Sequence, residues 1–236
     1  MERRRISFSN SGLKLIAVIT MLIDHTGLVI LRYWPSALEP VSLFGFSTTL
    51  YQISRTIGRI AFPIFCFLLV EGFRHTSSRF RYARNLFLFA LISEIPFNYM
   101  FSTDGRWENQ NVYFTLLLGF LVFCALERFQ NQLLLQILSA TAGFAASMIL
   151  KADYDYRGFV LLMILYFFAF RPAERTLLAC ISLYWEWPAC FAFLPIHFYN
   201  GERGFIKGKA AKYFFYGFYP VHMILLVCLR HLLFGL

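Results

Sequence analysis

Long apolar runs, bounded by charged or turn-forming residues, recur along the chain. They lie near residues 12–33, 54–73, 84–101, 112–128, 133–150, 158–170, 175–196 and 213–234. Because a helix needs about 20 residues to cross a bilayer, these runs predict an all-α, polytopic transmembrane bundle of about eight spans, with roughly seven to nine left open. The connections between the runs are short, so we expect a single membrane domain over residues 1–236.

Two of these runs are irregular. The sixth is short, and the seventh contains Pro188 and Pro195, whose rings remove a helical N–H donor. Either run could therefore be re-entrant or kinked, which requires protein or water around the freed backbone groups.

The basic residues lie mainly between the apolar runs. Although the formal net charge is +9, Lys and Arg do not follow one face of a helix or strand, so no nucleic-acid partner is expected. Since Lys and Arg favour cytoplasmic loops, the basic segments 3–5, 74–84 and 171–175 are predicted to be cytoplasmic. With eight simple spans the basic connection 203–212 would lie outside, so either the seventh run does not cross once or these cations bind a ligand.

The cysteine and aromatic residues are expected to have structural rather than catalytic roles. The five cysteines all lie in apolar runs with no spacing typical of a metal site, so no metal is predicted. The 29 Phe and 13 Tyr suit lipid-facing and interfacial positions.

Ionisable residues interrupt the first run. Lys14 opens it, and Asp24 and His25 follow the apolar segment LIAVITMLI. Eleven helical steps place Lys14 and His25 on nearly the same face, about 16 Å apart along the axis. Charge at this depth is costly and usually marks a functional, hydrated interior, so His25 is predicted to be a general base. The alternative is that Asp24 and His25 only bond neighbouring helices.

Paired arginines open the second run. Arg55 and Arg59 are four residues apart and share one helix face. Such guanidinium groups suit phosphate or carboxylate recognition, with interfacial anchoring as the alternative for Arg55. Near the end of the run, Glu71 and Arg74 are expected to form a structural ion pair.

Polar residues also interrupt later runs. The third contains Glu94 and Asn98 in SEIPFNYM, and Asn111 opens the fourth, where hydrogen bonding between helices is the alternative to a substrate role. Asp155 and Tyr156 lie in the charged connection KADYDYRG, for which a solvated turn is the alternative.

The last run combines tyrosines with a histidine. Tyr216 and Tyr219 lie three positions apart on one helix face, and Pro220 permits a kink that would bring His222 inward. An aromatic belt is the alternative account of the tyrosines.

Five blocks in order suggest a family: SGLKLIAVITMLIDHTG, GRIAFPIFCFLLVEGF, NVYFTLLLGF, DYDYRGFVLLMI and KYFFYGFYPVHMILL. Together they resemble the TraX family of conjugation-associated membrane proteins, which is known for N-terminal acetylation of F-type pilin. The resemblance runs from about residue 12 to 230. The first block is also similar to membrane acyltransferases that modify cell-surface glycans, in which ten residues separate a basic residue and a histidine on the first helix.

This resemblance implies a multi-pass acyltransferase of the bacterial inner membrane. The implied donor is acetyl-CoA or another acyl-CoA, and the acceptor is a pilin-like peptide amine or another cell-envelope group. The predicted catalytic residues are His25, Asp24, Arg59, Glu94 and His222. The predicted donor-binding residues are Lys14, Arg55, Arg74, Tyr216 and Tyr219, and the predicted acceptor-binding residues are Asn98, Asn111, Asp155 and Tyr156.

Within this set, each residue type has an expected role. His25 removes the acceptor's proton while a carboxylate from Asp24 or, better placed, Glu94 orients its ring. The developing oxyanion is stabilised by donors drawn from Arg59, Asn111, Tyr219 or His222. Direct transfer is favoured over a covalent intermediate, because no nucleophilic Ser or Cys stands beside a base.

Two other classes of protein fit the same buried polar residues. A transporter would use the His, Asp and Arg side chains as a proton or substrate pathway. An assembly factor would dock a surface-appendage subunit in the membrane without making a bond.

Overall fold

The structure is a computed structural model that describes residues 7–43, 45–101, 107 and 109–235. Its α-helices are α1 (Asn10–Val29), α2 (Leu50–Gly58), α3 (Ala61–His75), α4 (Arg79–Phe101), α5 (Val112–Arg128), α6 (Leu133–Ile149), α7 (Asp155–Phe167), α8 (Pro172–Ser182), α9 (Phe193–His197) and α10 (Gly208–Phe234). Short 3₁₀ segments occur at Leu31–Tyr33, Pro35–Ala37 and Tyr184–Ala192. The predicted all-α class is confirmed in its main feature.

Side-chain caps explain where several helices begin. The N–H of Gly12 donates to the Ser9 hydroxyl at 3.3 Å at the start of α1. The hydroxyl of Thr49 accepts from the N–H of Gln52 at 3.1 Å at the start of α2. Such caps satisfy backbone N–H groups that have no partner within the helix.

Two predicted spans are divided in the structure. The run 54–73 forms α2 and α3, which are separated at Arg59 and Ile60. The run 175–196 forms the end of α8, a 3₁₀ segment and part of α9, with Glu186 in a non-helical conformation. The irregularity predicted for the seventh run is therefore confirmed, whereas the break in the second run was not predicted.

A small β-hairpin was also missed. Strands β1 (Val41–Leu43) and β2 (Phe46–Thr48) pair antiparallel between α1 and α2. Gly45 has a φ of 84°, a left-handed conformation that glycine adopts without a steric penalty. The connection between α1 and α2 therefore differs from the all-α prediction.

Within the described residues, three helical stretches are long and apolar enough to cross a membrane: Asn10–Tyr33, Leu50–His75 and Tyr213–Phe234. These stretches indicate a membrane protein. Leu133–Ile149 is apolar but has only 17 residues. The count of about eight spans stays a prediction.

The chain divides into two compact units. Unit 1 comprises Met1–Leu68 and Glu186–Leu236, and unit 2 comprises Leu69–Trp185. In unit 1, α1 packs against α2 and α10. In unit 2, α5 packs against α4, α6 and α7, around buried side chains such as Phe120 and Phe123. The single domain expected over residues 1–236 stays a prediction.

Two glycines bring α1 and α2 of unit 1 into close contact. A methyl group at Gly27 would lie 2.0 Å from the hydroxyl of Ser54, and one at Gly58 would lie 2.1 Å from the side chain of Asp24. Small residues of this kind let membrane helices approach closely. The approach brings the carboxylate of Asp24 to Arg55 on α2.

The connection after α9 is bonded to the start of α1, within unit 1. The N–H of Phe8 donates to the carbonyl of Phe198 at 2.9 Å, and the N–H of Asn10 donates to that of Glu202 at 2.8 Å. The Ser11 hydroxyl also donates to the carbonyl of Arg203 at 2.8 Å. The last connection therefore lies at the end of unit 1 where α1 begins.

This placement bears on the predicted conflict with the charge rule for loops. Arg203 lies at the same end of unit 1 as the start of α1, so its charge falls on the side of the membrane at which α1 begins. Residues 3–5 and the side chains of Lys209 and Lys212 lie outside the described part of the chain.

Candidate functional site

The main polar feature of unit 1 is a pair of buried histidines. His25 Nδ1 on α1 lies 2.6 Å from His222 Nε2 on α10. Their rings are 10° from parallel, with centroids 4.9 Å apart. His25 is 8% exposed and His222 is 4% exposed. The inward position predicted for His222 is therefore what brings it to His25.

Aromatic rings and a backbone carbonyl hold this pair in place. His222 Nδ1 lies 2.7 Å from the carbonyl oxygen of Phe218, one turn earlier on α10. The Phe218 ring is nearly parallel to that of His222 at 4.8 Å, and the Tyr219 ring lies 6.2 Å from that of His25. Among the described residues, His25 Nε2 has no hydrogen-bond partner. One basic nitrogen therefore remains open at the site.

The carboxylate of Asp24 faces α2 rather than the histidine. Its Oδ2 accepts a hydrogen bond from Arg55 Nη1 at 2.5 Å, and the side chains of Asp24 and Arg55 are 13% and 18% exposed. The Oδ1 atom is buried and has no hydrogen-bond partner within the described ranges. The Asp24 carboxylate thus bonds Arg55, whereas His222 faces the Nδ1 of His25, because adjacent helical residues point in different directions. The catalytic role of Asp24 stays a prediction.

A second ion pair joins Arg59 to a residue that the sequence analysis overlooked. Arg59 Nε lies 2.7 Å from Glu186 Oε1, and the Glu186 side chain is 9% exposed. Glu186 stands between Trp185 and Trp187 in the broken seventh run, so an acid within an apolar stretch was the available signal. Buried charges in such stretches are normally paired.

Two cations lie at the end of unit 1 where α1 begins. Lys14 is half-buried, with its Nζ 5.8 Å from the centroid of the Phe215 ring, and the carbonyl of Arg203 accepts a hydrogen bond from Ser11, three residues before Lys14. In the described part of the chain neither Lys14 nor Arg203 forms an ion pair. Cations without a carboxylate partner favour binding of an anion.

The predicted donor-binding residues are divided between the units. Lys14, Arg55, the half-buried Tyr216 and the buried Tyr219 belong to unit 1. Arg74 belongs to unit 2, where its Nη1 donates to Glu71 Oε1 at 3.3 Å, so the predicted structural ion pair is confirmed.

The predicted polar residues of unit 2 form one hydrogen-bond network. Asn111 Nδ2 donates to Glu94 Oε2 at 2.5 Å and to the carbonyl of Ala90 at 2.8 Å. Asn98 Nδ2 donates to Glu94 Oε1 at 3.0 Å. Asn111 Oδ1 also accepts from the N–H of Tyr113 at 3.0 Å and caps α5. Asn111 thus has a structural role here, whereas the acceptor-binding role of Asn98 and Asn111 stays a prediction.

The connection before α7 has a strained backbone. Lys151, Tyr154 and Asp155 have φ values of 47°, 66° and 46°, in the left-handed region that disfavours residues other than glycine. Asp155 and Tyr156 are exposed in the first turn of α7. Strain of this kind often occurs at functional sites, but the acceptor-binding role of these two residues stays a prediction.

Metal chemistry has no support in the described ranges. No group of three or more His, Cys, Asp or Glu side chains there could hold a metal ion. The residues brought together at His25 are instead an imidazole, aromatic rings and paired charges.

Comparison with known proteins places the chain in a family. The family model described as TraX protein matches residues 9–230. A protein of Dichelobacter nodosus is described as "Probable fimbrial assembly protein FimC, serogroup H1". It is 31% identical to this chain over an alignment of 253 positions, which covers 94% of this chain and 96% of that protein. No solved structure gives a significant match. With nearly its whole length matched by the family model, the chain belongs to the TraX family.

Proposed function

We propose that this protein is an acyltransferase that crosses the bacterial inner membrane several times. It moves an acyl group, most simply acetyl, from acyl-CoA to the amine of a pilin-like peptide or to another cell-envelope acceptor. The observation that carries the proposal is the buried His25, whose Nδ1 is held by His222 while its Nε2 has no partner among the described residues. A fixed imidazole with one open nitrogen suits a general base.

Family membership supports the choice of acceptor. The Dichelobacter nodosus relative is described as a fimbrial assembly protein, and fimbriae are built from pilin subunits. A membrane enzyme that modifies such a subunit would meet it before assembly. The acceptor proposed here is therefore an amine on a pilin-like peptide.

The cations Lys14 and Arg203 support entry of acyl-CoA from the end of unit 1 where α1 begins. Acyl-CoA carries phosphate groups on its nucleotide, and Lys14 and Arg203 offer positive charges at the same end of unit 1 for them. Lys14 precedes His25 by eleven residues on the same helix, which corresponds to about 16 Å. The pantetheine arm would extend along α1 from these cations toward the imidazole.

The proposed chemistry is direct transfer. The lone pair of a neutral amine attacks the thioester carbonyl carbon, forming a C–N bond and a tetrahedral oxyanion, and His25 Nε2 takes the proton that the amine nitrogen loses. Collapse of the intermediate breaks the C–S bond, and the proton passes to the sulfur of the leaving group. The products are an N-acyl acceptor and CoA with a free thiol.

Stabilisation of the oxyanion needs a donor beside the base. Tyr219 is buried, and its ring lies 6.2 Å from that of His25. Because of this proximity we assign Tyr219, among the predicted donors on unit 1, to the oxyanion.

Transport remains the second candidate function. Asp24 pairs with Arg55 and Glu186 pairs with Arg59, and both carboxylates are largely buried. Ion pairs inside a membrane also mark solute pathways. A transporter would move its solute across liposome membranes without consuming acyl-CoA.

The proposal predicts a covalent mark on the acceptor. Cells that produce the protein should yield a pilin or other envelope protein heavier by one acyl group than the same protein from cells that lack it. Intact-protein mass spectrometry measures this difference, and peptide fragmentation places it on an amine. An identical set of masses with and without the protein would contradict the proposal.

A further inference from the structure

We propose that His222 is a positioning residue that fixes the tautomer of His25 and aims its Nε2 lone pair at the acceptor. The role of His25 as a base rests on the proposed function. The tautomers of the two histidines can be tested without measuring any activity. The positioning role differs from the oxyanion role considered in the sequence analysis, because both ring nitrogens of His222 already face a partner.

The proton positions follow from a chain of hydrogen bonds. A carbonyl oxygen only accepts, so His222 Nδ1, which lies 2.7 Å from the Phe218 carbonyl, carries a proton and donates it. In a neutral His222 ring, Nε2 is then an acceptor. Since His25 Nδ1 lies 2.6 Å from this nitrogen, His25 Nδ1 carries a proton as well. His25 Nε2 is left with the lone pair that a base needs.

The ring geometry supports a strong hydrogen bond between the two histidines. The planes differ by 10° while the centroids are 4.9 Å apart, and the bonded nitrogens are only 2.6 Å apart. Rings that stacked face to face could not combine such a short nitrogen contact with that centroid separation. The rings therefore meet edge to edge, where the imidazole lone pair and the N–H lie in the ring plane.

The local sequence of α10 explains why His222 has a partner for its own Nδ1. The carbonyl of Phe218 lies four residues earlier, directly over His222 on the helix face. The Phe218 ring lies 4.8 Å from the His222 ring and restricts its rotation. The orientation of His222 is therefore set within one helical turn before it reaches α1.

This arrangement has a consequence for charge. When His25 Nε2 takes a proton, the resulting imidazolium still donates from Nδ1 to a neutral acceptor, and part of its charge is shared along the chain toward the Phe218 carbonyl. The arrangement orients the base as a carboxylate would, without burying a permanent negative charge beside it.

Nuclear magnetic resonance tests the proton positions directly. The full-length protein is labelled with ¹⁵N-histidine in lipid nanodiscs, and the ring signals are assigned from His25→Ala and His222→Ala variants. We expect both rings as Nδ1–H tautomers, with a scalar coupling across the hydrogen bond between His25 Nδ1 and His222 Nε2. An Nε2–H tautomer at either ring would overturn the inference whatever the activity.

Turnover by matched variants tests the positioning role. His222→Ala should lower kcat by about 10²-fold, because His25 loses its acceptor and the alternative tautomer becomes available. His222→Gln offers an amide oxygen to His25 Nδ1 and should recover at least about tenfold of that loss. The exposed His231 on the same helix provides the control, and His231→Ala should leave kcat unchanged.

The outcomes separate this inference from the proposed function. Equal turnover in the Ala and Gln variants would overturn the positioning role of His222 even if acyl transfer is established. Conversely, an Nδ1–H tautomer chain in a protein that transfers no acyl group would leave the histidine geometry correct and refute the enzyme proposal. If His222→Ala does not fold, the coupling in the unmodified protein still decides.

Discussion

We expect the replacement of His25 by alanine to lower kcat for the proposed acyl transfer by about 10³-fold, the size of loss that follows removal of a general base. The buried position of His25 and its bond to His222 make it the group with an open nitrogen at the proposed reaction centre. The expected measurement is the initial rate of CoA thiol release by the purified protein in nanodiscs, at saturating donor and acceptor.

The control for this prediction makes the same substitution at another histidine. His197→Ala removes an exposed histidine of unit 1 and should leave kcat within about twofold of the unmodified protein, as for most surface substitutions. Folding of His25→Ala is checked by its elution as a single species in detergent. Near-normal turnover by a folded His25→Ala variant would contradict the role of His25 as base.

We expect the replacement of Asp24 by alanine to destabilise the protein by about 3 kcal/mol, because it leaves the partly buried guanidinium of Arg55 without its carboxylate. The ion pair joins α1 to α2, where Gly27 and Gly58 already bring the helices close together. The free energy of unfolding in mixed micelles measures the loss.

A double-mutant cycle isolates the pair from the packing around it. In the Asp24→Ala/Arg55→Ala variant no charge is left unpaired, so we expect it to lose less stability than the sum of the two single variants. The exposed Thr56 on the same helix supplies a control, since Thr56→Ala should change stability by less than about 0.5 kcal/mol. Additive losses would show that Asp24 and Arg55 do not stabilise each other.

The helices could be predicted from the sequence because their signals are local. Apolar runs of sufficient length gave helices close to the observed bounds, as for α5 and α6. Capping side chains such as Ser9 and Thr49 precede their helices directly. The hairpin at residues 41–48 was missed because its strands have three residues each and expose their side chains on both faces.

The site was only partly predictable because its contacts join distant positions. His25 and His222 were each suspected from polarity in an apolar run, but at a sequence separation of 197 residues nothing indicated that they would bond. The pairing of Asp24 with Arg55 depends on the close approach at Gly58, which becomes visible only when the helices are packed. Glu186 was overlooked because no partner for it is near in sequence.

One measurement tests the central claim most directly: incubation of the purified protein in nanodiscs with acetyl-CoA labelled in the acetyl group and a pilin-like peptide with a free N-terminal amine. The account predicts that label appears on the peptide amine in step with release of CoA thiol, and that both stop in the His25→Ala variant. The assay is repeated with a pilin subunit from the same cells as acceptor. If the protein is folded and unmodified and all the label still stays in acetyl-CoA, the account is contradicted.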